Sequence, residues 1–490
     1  MMLLTNLLPD CPLPLPAIQI AGLKLDSRKV AAGDAFIAVP GYATDGREYI
    51  DAAVAAGASV VLADMDEWTH GELDGTPIIG IPNLHGLISQ IAGRFYQQPA
   101  TQLCLIGVTG TNGKTTVSNL VAQLWQQLEP AAAVLGTLGS GLLPNLLPEQ
   151  NTTPDAVTVQ QRLAGFVAEG ANVAAMEVSS HALVQGRVEA LHFDTVIGTN
   201  ISRDHLDYHG SMGEYIAAKA RLFTDFPARV RILNADDKHV ARWGNQDDFW
   251  YSTDAKRVGQ KNTLVATDIE FGHTGTHMLL HWQEQQITVT SPLLGDFNVE
   301  NLLAALLSPL NSGYSLTYVA ALVPQLQPVP GRMETFGGDQ QPLLIVDYAH
   351  TPDALEQVLT AARRHCAGKL WCLFGCGGDR DRGKRPQMGE VAARLADCVV
   401  VTDDNPRTEE PAAIIQDIIS GMPNSAHYTA VPGRAQAVRD TFANAAPGDV
   451  IVCAGKGHEA YQIIGTKVHD YDERALVAEL VEAELRGGGK

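Results

Sequence analysis

Residues 101–116 read TQLCLIGVTGTNGKTT, and this stretch decides the fold. An apolar run ends in glycine, and a polar turn then opens an amphipathic segment at Lys114. The order is strand, loop, helix, which sets a helix N-terminus at the carboxyl end of a strand. Glycines let backbone N–H groups wrap around phosphate oxygens, and the helix dipole adds to the attraction. Lys114 brings a positive charge, and Thr115 brings a hydroxyl suited to Mg2+. The common phosphate-loop pattern has glycine six residues before the lysine; Val108 stands there instead. The loop is thus a variant made of Gly110, Thr111, Asn112, Gly113, Lys114, Thr115 and Thr116.

Similar units lie on both sides of it. NVAAMEVSS, TVIGTN and RVRILNADD are apolar runs that end in polar residues, as buried strands of a parallel sheet do. Before the loop, AFIAVPG and DAAVAAGASVVLAD predict a small α/β unit, with QQPA at 97–100 as a linker. From about 260 to 295 the pattern alternates (HMLLHW, QITVTSP), which predicts antiparallel strands. DFNVENLLAALL predicts a capped helix, and QPVPGR at 327–332 a second linker. A third series follows: PLLIVDYAH, KLWCLFGCGGDR, DCVVVTDDNPR and DVIVCAGKGHE. The fold class predicted is α/β in three domains, at residues 1–99, 100–330 and 331–490. The middle one is a phosphate-loop ATPase domain with a parallel sheet.

Composition narrows the function. The 490 residues carry 35 basic and 55 acidic side chains, a net charge of −20, which argues against a nucleic-acid partner. Seven cysteines are few and odd in number, which suits reduced thiols in the cytoplasm. The first 16 residues lack a basic start, so they make a poor signal peptide. No apolar run reaches the roughly 18 residues of a membrane helix.

Chemistry-bearing residues gather at the strand ends. Glu177 in AMEVSSHAL is an oxygen ligand for a metal that serves triphosphate chemistry. His205, with Asp204 and Asp207, suits a second metal site. Thr152, Thr153, Gln185 and Arg187 suit a polar substrate bearing carboxylates. Arg407, in the segment Asp404-Asn405-Pro406-Arg407, offers a planar fork for a carboxylate. GDRDRGKRP adds a cationic cluster (Arg380, Arg382, Lys384, Arg385), and Glu459 in AGKGHE is an acceptor for an ammonium. A carboxylate clamp plus an ammonium acceptor describes an amino-acid site.

GTNGKTT, EVSSHAL, NISRDHLDYHG, DFNVENLLAA, GRME, DYAHTP and DNPR occur in one order, from about residue 20 to 475. With them the chain resembles the Mur ligases of peptidoglycan synthesis, and among these the members that add diaminopimelate. The resemblance implies an N-terminal UDP-binding domain, the central ATPase domain and a C-terminal Rossmann-like domain. It implies a cytoplasmic monomer that joins meso-2,6-diaminopimelate to UDP-N-acetylmuramoyl-L-alanyl-D-glutamate, with ATP and Mg2+, through an acyl phosphate. Its partners would be these small molecules alone, with no insertion in a membrane.

Carried over by position, Lys114 and Thr115 hold ATP phosphates and Mg2+. Glu177, His205 and Lys219 are metal ligands, Lys219 as a carbamate formed with CO2. Asn298 and Asn301 meet adenine, and Arg332 and Asp347 reach the nucleotide from the third domain. Leu25, Ser27 and residues 42–44 fall in the uridine region, although Tyr-Ala-Thr stands there in place of His-Gln-Ala. Asn151, Thr152, Thr153, Ser179, Gln185 and Arg187 hold the muramoyl dipeptide. Arg380, Asp404, Asn405, Pro406, Arg407, Gly455 and Glu459 form the amino-acid site. The phosphate loop alone also fits folylpolyglutamate synthetases, or a nucleotide-driven switch. The first hundred or so residues and DNPR count against the folylpolyglutamate reading.

Overall fold

The computed structural model describes residues 1–41, 44–129, 131–272 and 275–487. The chain divides into two compact units, Met1–Trp250 and Tyr251–Lys490.

The first unit opens with a five-stranded sheet: β1 (Gly22–Lys24), β2 (Asp34–Ala38), β3 (Val60–Met65), β4 (Thr69–Leu73) and β5 (Thr76–Pro82). Its order is β1-β2-β3-β5-β4, with only β4 antiparallel. α1 (Leu84–Phe95) packs Leu84, Ile88 and Ile91 onto it. QQPA makes a tight turn, with Gln97 and Gln98 at positive φ.

A second sheet follows. Its strands are β6 (Cys104–Thr109), β7 (Ala132–Gly136), β8 (Gly139–Leu142), β9 (Val173–Glu177), β10 (Thr195–Gly198) and β11 (Val230–Asn234). Their order is β8-β7-β9-β6-β10-β11, parallel except for β8. The chain winds from β6 to β7 and β9 on one side, then crosses to β10 and β11 on the other. β6 therefore adjoins the switch point, where the carboxyl ends of the strands open a crevice. The phosphate loop leaves β6 at that end and enters α2 (Lys114–Leu128).

The second unit begins with an antiparallel meander, β12 (Thr263–Gly272), β13 (Gly275–Trp282) and β14 (Gln285–Ser291). α3 (Asp296–Asn311) follows, and here the structure corrects the expected cap. Gly295 precedes the helix at φ 89° and no side chain caps it.

A six-stranded sheet completes the unit: β15 (Glu334–Gly337), β16 (Leu343–Asp347), β17 (Leu370–Phe374), β18 (Cys398–Val401), β19 (Tyr428–Ala430) and β20 (Val450–Ala454). Its order is β15-β16-β20-β17-β18-β19, parallel but for β15. Strand residues alternate between two cores, as period-2 geometry requires. Ile345, Cys372 and Val452 face α4 (Pro352–Arg364), α5 (Lys384–Leu395) and α6 (Pro411–Ile419). Leu344, Leu373 and Ile451 face α7 (Arg434–Asn444) and α8 (Glu473–Gly487). Both faces are covered, which is why these strands read as unbroken apolar runs. A hairpin, β21 (Tyr461–Ile464) with β22 (Lys467–Asp470), projects after β20. All seven cysteines are free. Among the described residues no helix is long and apolar enough to cross a membrane.

Candidate functional site

The phosphate loop is shaped by close approach. Gly110 sits at φ 148°, and a Cβ there would lie 1.8 Å from Thr199 Oγ1. Thr111 N donates to Asn200 O (2.7 Å), Asn112 N donates to Asn200 Oδ1 (3.0 Å), and Thr199 Oγ1 donates to Asn112 O (2.6 Å). Gly113, at φ 85°, starts α2 without a side-chain cap, so the positive end of the helix faces the loop. Thr115 and Thr116 are buried in its first turn.

Two lysines converge on one carbonyl. Gly110 O accepts from Lys114 Nζ at 3.0 Å and from Lys219 Nζ at 2.7 Å. Lys219 is buried, and its Nζ lies over the Tyr215 ring. Burial, and then the charge of Lys114, hold Lys219 well below the usual ammonium range.

Glu177, at the end of β9, is 1% exposed. Its Oε2 accepts from Thr115 Oγ1 (3.0 Å), and its Oε1 accepts from Thr137 N (2.7 Å). A Cβ on Gly136 would stand 2.3 Å from Oε1, so glycine makes room for the carboxylate. The hydroxyl beside a buried carboxylate is the hard oxygen donor set that Mg2+ prefers. Thr137 stands in no recognisable motif, although it follows a parallel strand as the other candidates do.

The same network reaches the proposed dipeptide residues. Thr137 Oγ1 donates to Thr152 Oγ1 (3.1 Å), and Thr153 Oγ1 donates to Glu177 O (2.8 Å). Ser179 N donates to Thr153 Oγ1 (3.1 Å). Arg187 Nη1 donates to Thr153 O (2.6 Å), and its Nη2 to Gln185 Oε1 (2.6 Å). Burial lowers the Arg187 pKa.

His205 stands apart from Glu177 in this network. Its backbone is left-handed (φ 52°), its side chain is 49% exposed, and Nε2 lies 3.3 Å from Asp204 Oδ2. Its ring meets His181, whose own pKa is pushed down to about 4 by burial and by His205 and His209. Among the described residues no three His, Cys, Asp or Glu side chains are grouped so as to hold a metal.

A cavity of about 320 Å3 lies in the first unit. Leu25 and Asn151 line it, and Lys24, Lys29 and Arg162 there are matched by Asp26, Glu149 and Asp155. Ser27 does not line it but opens the short turn Ser27–Lys29, which Asp26 caps. Thr44 is described, whereas Tyr42 and Ala43 lie outside the described residues.

In the second unit, Asn298 and Asn301 are buried and joined by an Nδ2–Oδ1 bond of 2.9 Å. Arg332 lies over the Tyr348 ring, 4.8 Å from its centre. Its Nε is buried without a hydrogen-bond partner among the described residues. Asp347 accepts from Met333 N (2.7 Å) and Ala349 N (2.8 Å). Burial raises the Asp347 pKa, and Arg332 opposes that shift.

The proposed amino-acid residues lie in three interlocked loops, after β17, β18 and β20. A Cβ on Gly378 would stand 1.9 Å from Pro406 O, and one on Gly455 2.6 Å from Asp404 Oδ2. Arg407 is left-handed (φ 49°), and its Nη1 donates to Gly378 O (2.9 Å). Asn405 Nδ2 donates to Glu459 Oε2 (3.1 Å). Most of the cationic cluster is engaged in ion pairs and hydrogen bonds, though only Arg385 is buried. Arg382 and Arg385 bond Glu409, Arg385 also bonds Asp417, and Lys384 donates to His350 O. Arg385 foremost holds Glu409 down to about 2. Arg380 remains exposed, its Cγ beside Gly377.

Comparison with known proteins gives this geometry a family. The Mur ligase family catalytic domain matches residues 19–96, and the Mur ligase middle domain matches 108–308. The Mur ligase glutamate ligase domain matches 331–457. The structure of a UDP-N-acetylmuramoyl-L-alanyl-D-glutamate–2,6-diaminopimelate ligase is similar, with 37% identity over 99% of each chain and a TM-score of 0.72. A D-alanyl-D-alanyl-adding ligase from Acinetobacter baumannii is 19% identical over 99% of this chain and 98% of its own (TM-score 0.64). A folylpolyglutamate synthase from Mycobacterium tuberculosis is 17% identical over 76% of this chain and 91% of its own (TM-score 0.60). These last two share the fold. With three models in sequence and a relative matched end to end, the chain belongs to the Mur ligase family and has its three-domain α/β architecture.

Proposed function

We propose that this enzyme adds meso-2,6-diaminopimelate to UDP-N-acetylmuramoyl-L-alanyl-D-glutamate at the expense of ATP, making a peptidoglycan precursor in the cytoplasm. The observation that carries the reading is the end-to-end likeness, at 37% identity, to a ligase of that name. The Arg407 loop supports it.

A carboxylate is a poor electrophile. Phosphoryl transfer from ATP to the side-chain carboxylate of D-glutamate makes one oxygen a leaving group. The amine of the incoming amino acid then attacks, and the tetrahedral adduct expels phosphate to leave an amide. Lys114 and the N–H groups at the start of α2 bind the ATP phosphates. Thr115 Oγ1 and Glu177, with His205 and carbamylated Lys219, are the residues to hold Mg2+, which when bound neutralises phosphate charge. Lys219 suits carbamate formation, because a lysine below its usual pKa presents the neutral amine that CO2 requires. Asn298, Arg332 and Asp347 are assigned to the nucleotide by family position.

Asn151, Thr152, Thr153, Ser179, Gln185 and Arg187 orient the dipeptide. Leu25 and Ser27 are assigned to the uridine end. Arg407 faces the distal carboxylate of diaminopimelate, and Glu459 faces an ammonium. L-Lysine lacks that carboxylate and would leave the guanidinium without its partner. The domain limits proposed are 1–99, 100–330 and 331–490, in a chain acting as a monomer on small molecules.

Mass analysis of the nucleotide product tests the reading. Incubation with ATP, Mg2+, the dipeptide nucleotide and both amino acids should yield the diaminopimelate adduct. A lysine adduct alone would contradict the assignment of Arg407.

A further inference from the structure

Lys456 has no exposed surface, lies in the loop after β20, and has no part in the reaction described above. An ammonium has three N–H donors and no acceptor. Here all three are engaged: by Asn405 Oδ1 at 2.7 Å, Tyr461 O at 2.8 Å and Glu459 Oε2 at 3.2 Å. Asp404 Oδ1 lies 3.7 Å away. The partners come from three segments: the Asp404–Arg407 loop, the loop of Lys456 itself, and the β21–β22 hairpin.

The bonds reach further than their immediate partners. Asn405 Oδ1 also accepts from Ile463 N (2.9 Å), so two donors fix which end of that amide is oxygen. Its Nδ2 is thereby aimed at Glu459 Oε2. The hairpin then grips the clamp residue. Arg407 N donates to Ile463 O (3.1 Å), and Gly465 N donates to Arg407 O (2.7 Å). Gln462 Nε2 donates to Asp404 O (2.6 Å). A non-glycine residue in left-handed backbone persists only where its surroundings hold it. At Arg407 the hairpin does so.

We propose that Lys456 is a positioning and specificity residue for the incoming amino acid. This rests on the reading of these loops as the amino-acid site. Its buried ammonium orients the Glu459 carboxylate and, through the hairpin, the backbone from which Arg407 projects. It also sets the charge of the site. Without it, Glu459 has no buried counter-charge, and Asp404 has only Arg434, which already pairs with Glu473. Such a site repels the second carboxylate of diaminopimelate and favours L-lysine, which carries a net positive charge.

The test is the kinetics of full-length Lys456→Met, a substitution of similar length. The KM for diaminopimelate should rise about tenfold or more, because a charged hydrogen-bond hub is lost. The KM values for ATP and the dipeptide nucleotide should stay within about twofold, and the preference for diaminopimelate over L-lysine should fall. Lys456→Met and Glu459→Gln should combine less than additively, since the first acts through the second. Ile463→Pro, at a half-buried position of a mostly exposed hairpin, removes the other donor to Asn405 and should shift the same KM in the same direction. If Lys456→Met does not fold, Lys456→Gln, which keeps hydrogen-bond donors but not the charge, decides by the same fall in preference for diaminopimelate. A lower kcat with unchanged KM for diaminopimelate and unchanged preference would overturn the role of Lys456. Wild-type enzyme without diaminopimelate-dependent turnover would instead remove the reading on which the role rests.

Discussion

Arg407 and Lys219 are single side chains whose surroundings decide their chemistry. Arg407 keeps a guanidinium at the surface end of a held loop, with Nη1 on Gly378 O. Arg407→Ala should lower kcat/KM for diaminopimelate by about 10- to 100-fold, the size of one charge-assisted hydrogen-bonded partner. Steady-state kinetics check this, and L-lysine should gain or keep its low rate. Lys219→Ala should abolish turnover, and formate or acetate should restore part of it by supplying the missing carboxylate; phosphate release with and without the acid is the measurement. DNPR and GKTT were legible because their residue types carry the chemistry in the letters. The burial of Lys219 was not, since EYIAAKARLF reads as an ordinary amphipathic helix. Lys456 was hidden in the same way: nothing in AGKGHE says that its lysine is fully buried and bonded to its own glutamate.

Elements place those residues by their ends. Glu177, Asp347, Phe374, Val401 and Ala454 close parallel strands, and the working loops follow each of them. These strands were legible because burial on both faces demands unbroken apolar runs such as LLIVD and VIVCA. The start of α3 was not, because glycine at the N-cap and a helical Asp296 look alike in sequence whether or not a side chain caps. The pairing of the GDRDRGKRP cluster was not legible for a similar reason. Charge is visible in sequence, but its partners Glu409 and Asp417 are distant in the chain.

One helix contact carries a stability prediction. Arg434 on α7 and Glu473 at the start of α8 are both fully buried, and Arg434 Nη2 donates to Glu473 Oε1 (2.8 Å) and Ala454 O (2.8 Å). Tyr471 Oη adds a bond to Glu473 (2.8 Å). Glu473→Ala leaves a buried guanidinium unpaired, and should cost about 3–5 kcal/mol of unfolding free energy by urea titration.

For the whole molecule, the order of motifs along 490 residues carried more than any one of them. The phosphate loop fits several enzyme classes; followed by EVSSHAL, NISRDHLDYHG and DNPR it fits one family. The two compact units, with their boundary at Trp250–Tyr251, were not legible. Linker composition marks where a chain turns, not which pieces pack together. The net charge of −20 argues against nucleic acid but is silent on an anionic substrate, for which the proposed local cations are Lys114, Arg187 and Arg407. In the mechanism proposed, ATP cleavage awaits one particular amino acid. Phosphate release should be measured with ATP, Mg2+ and UDP-N-acetylmuramoyl-L-alanyl-D-glutamate, adding meso-diaminopimelate, L-lysine or neither. Release confined to diaminopimelate is the predicted result; equal release with L-lysine, or with no amino acid, would contradict it.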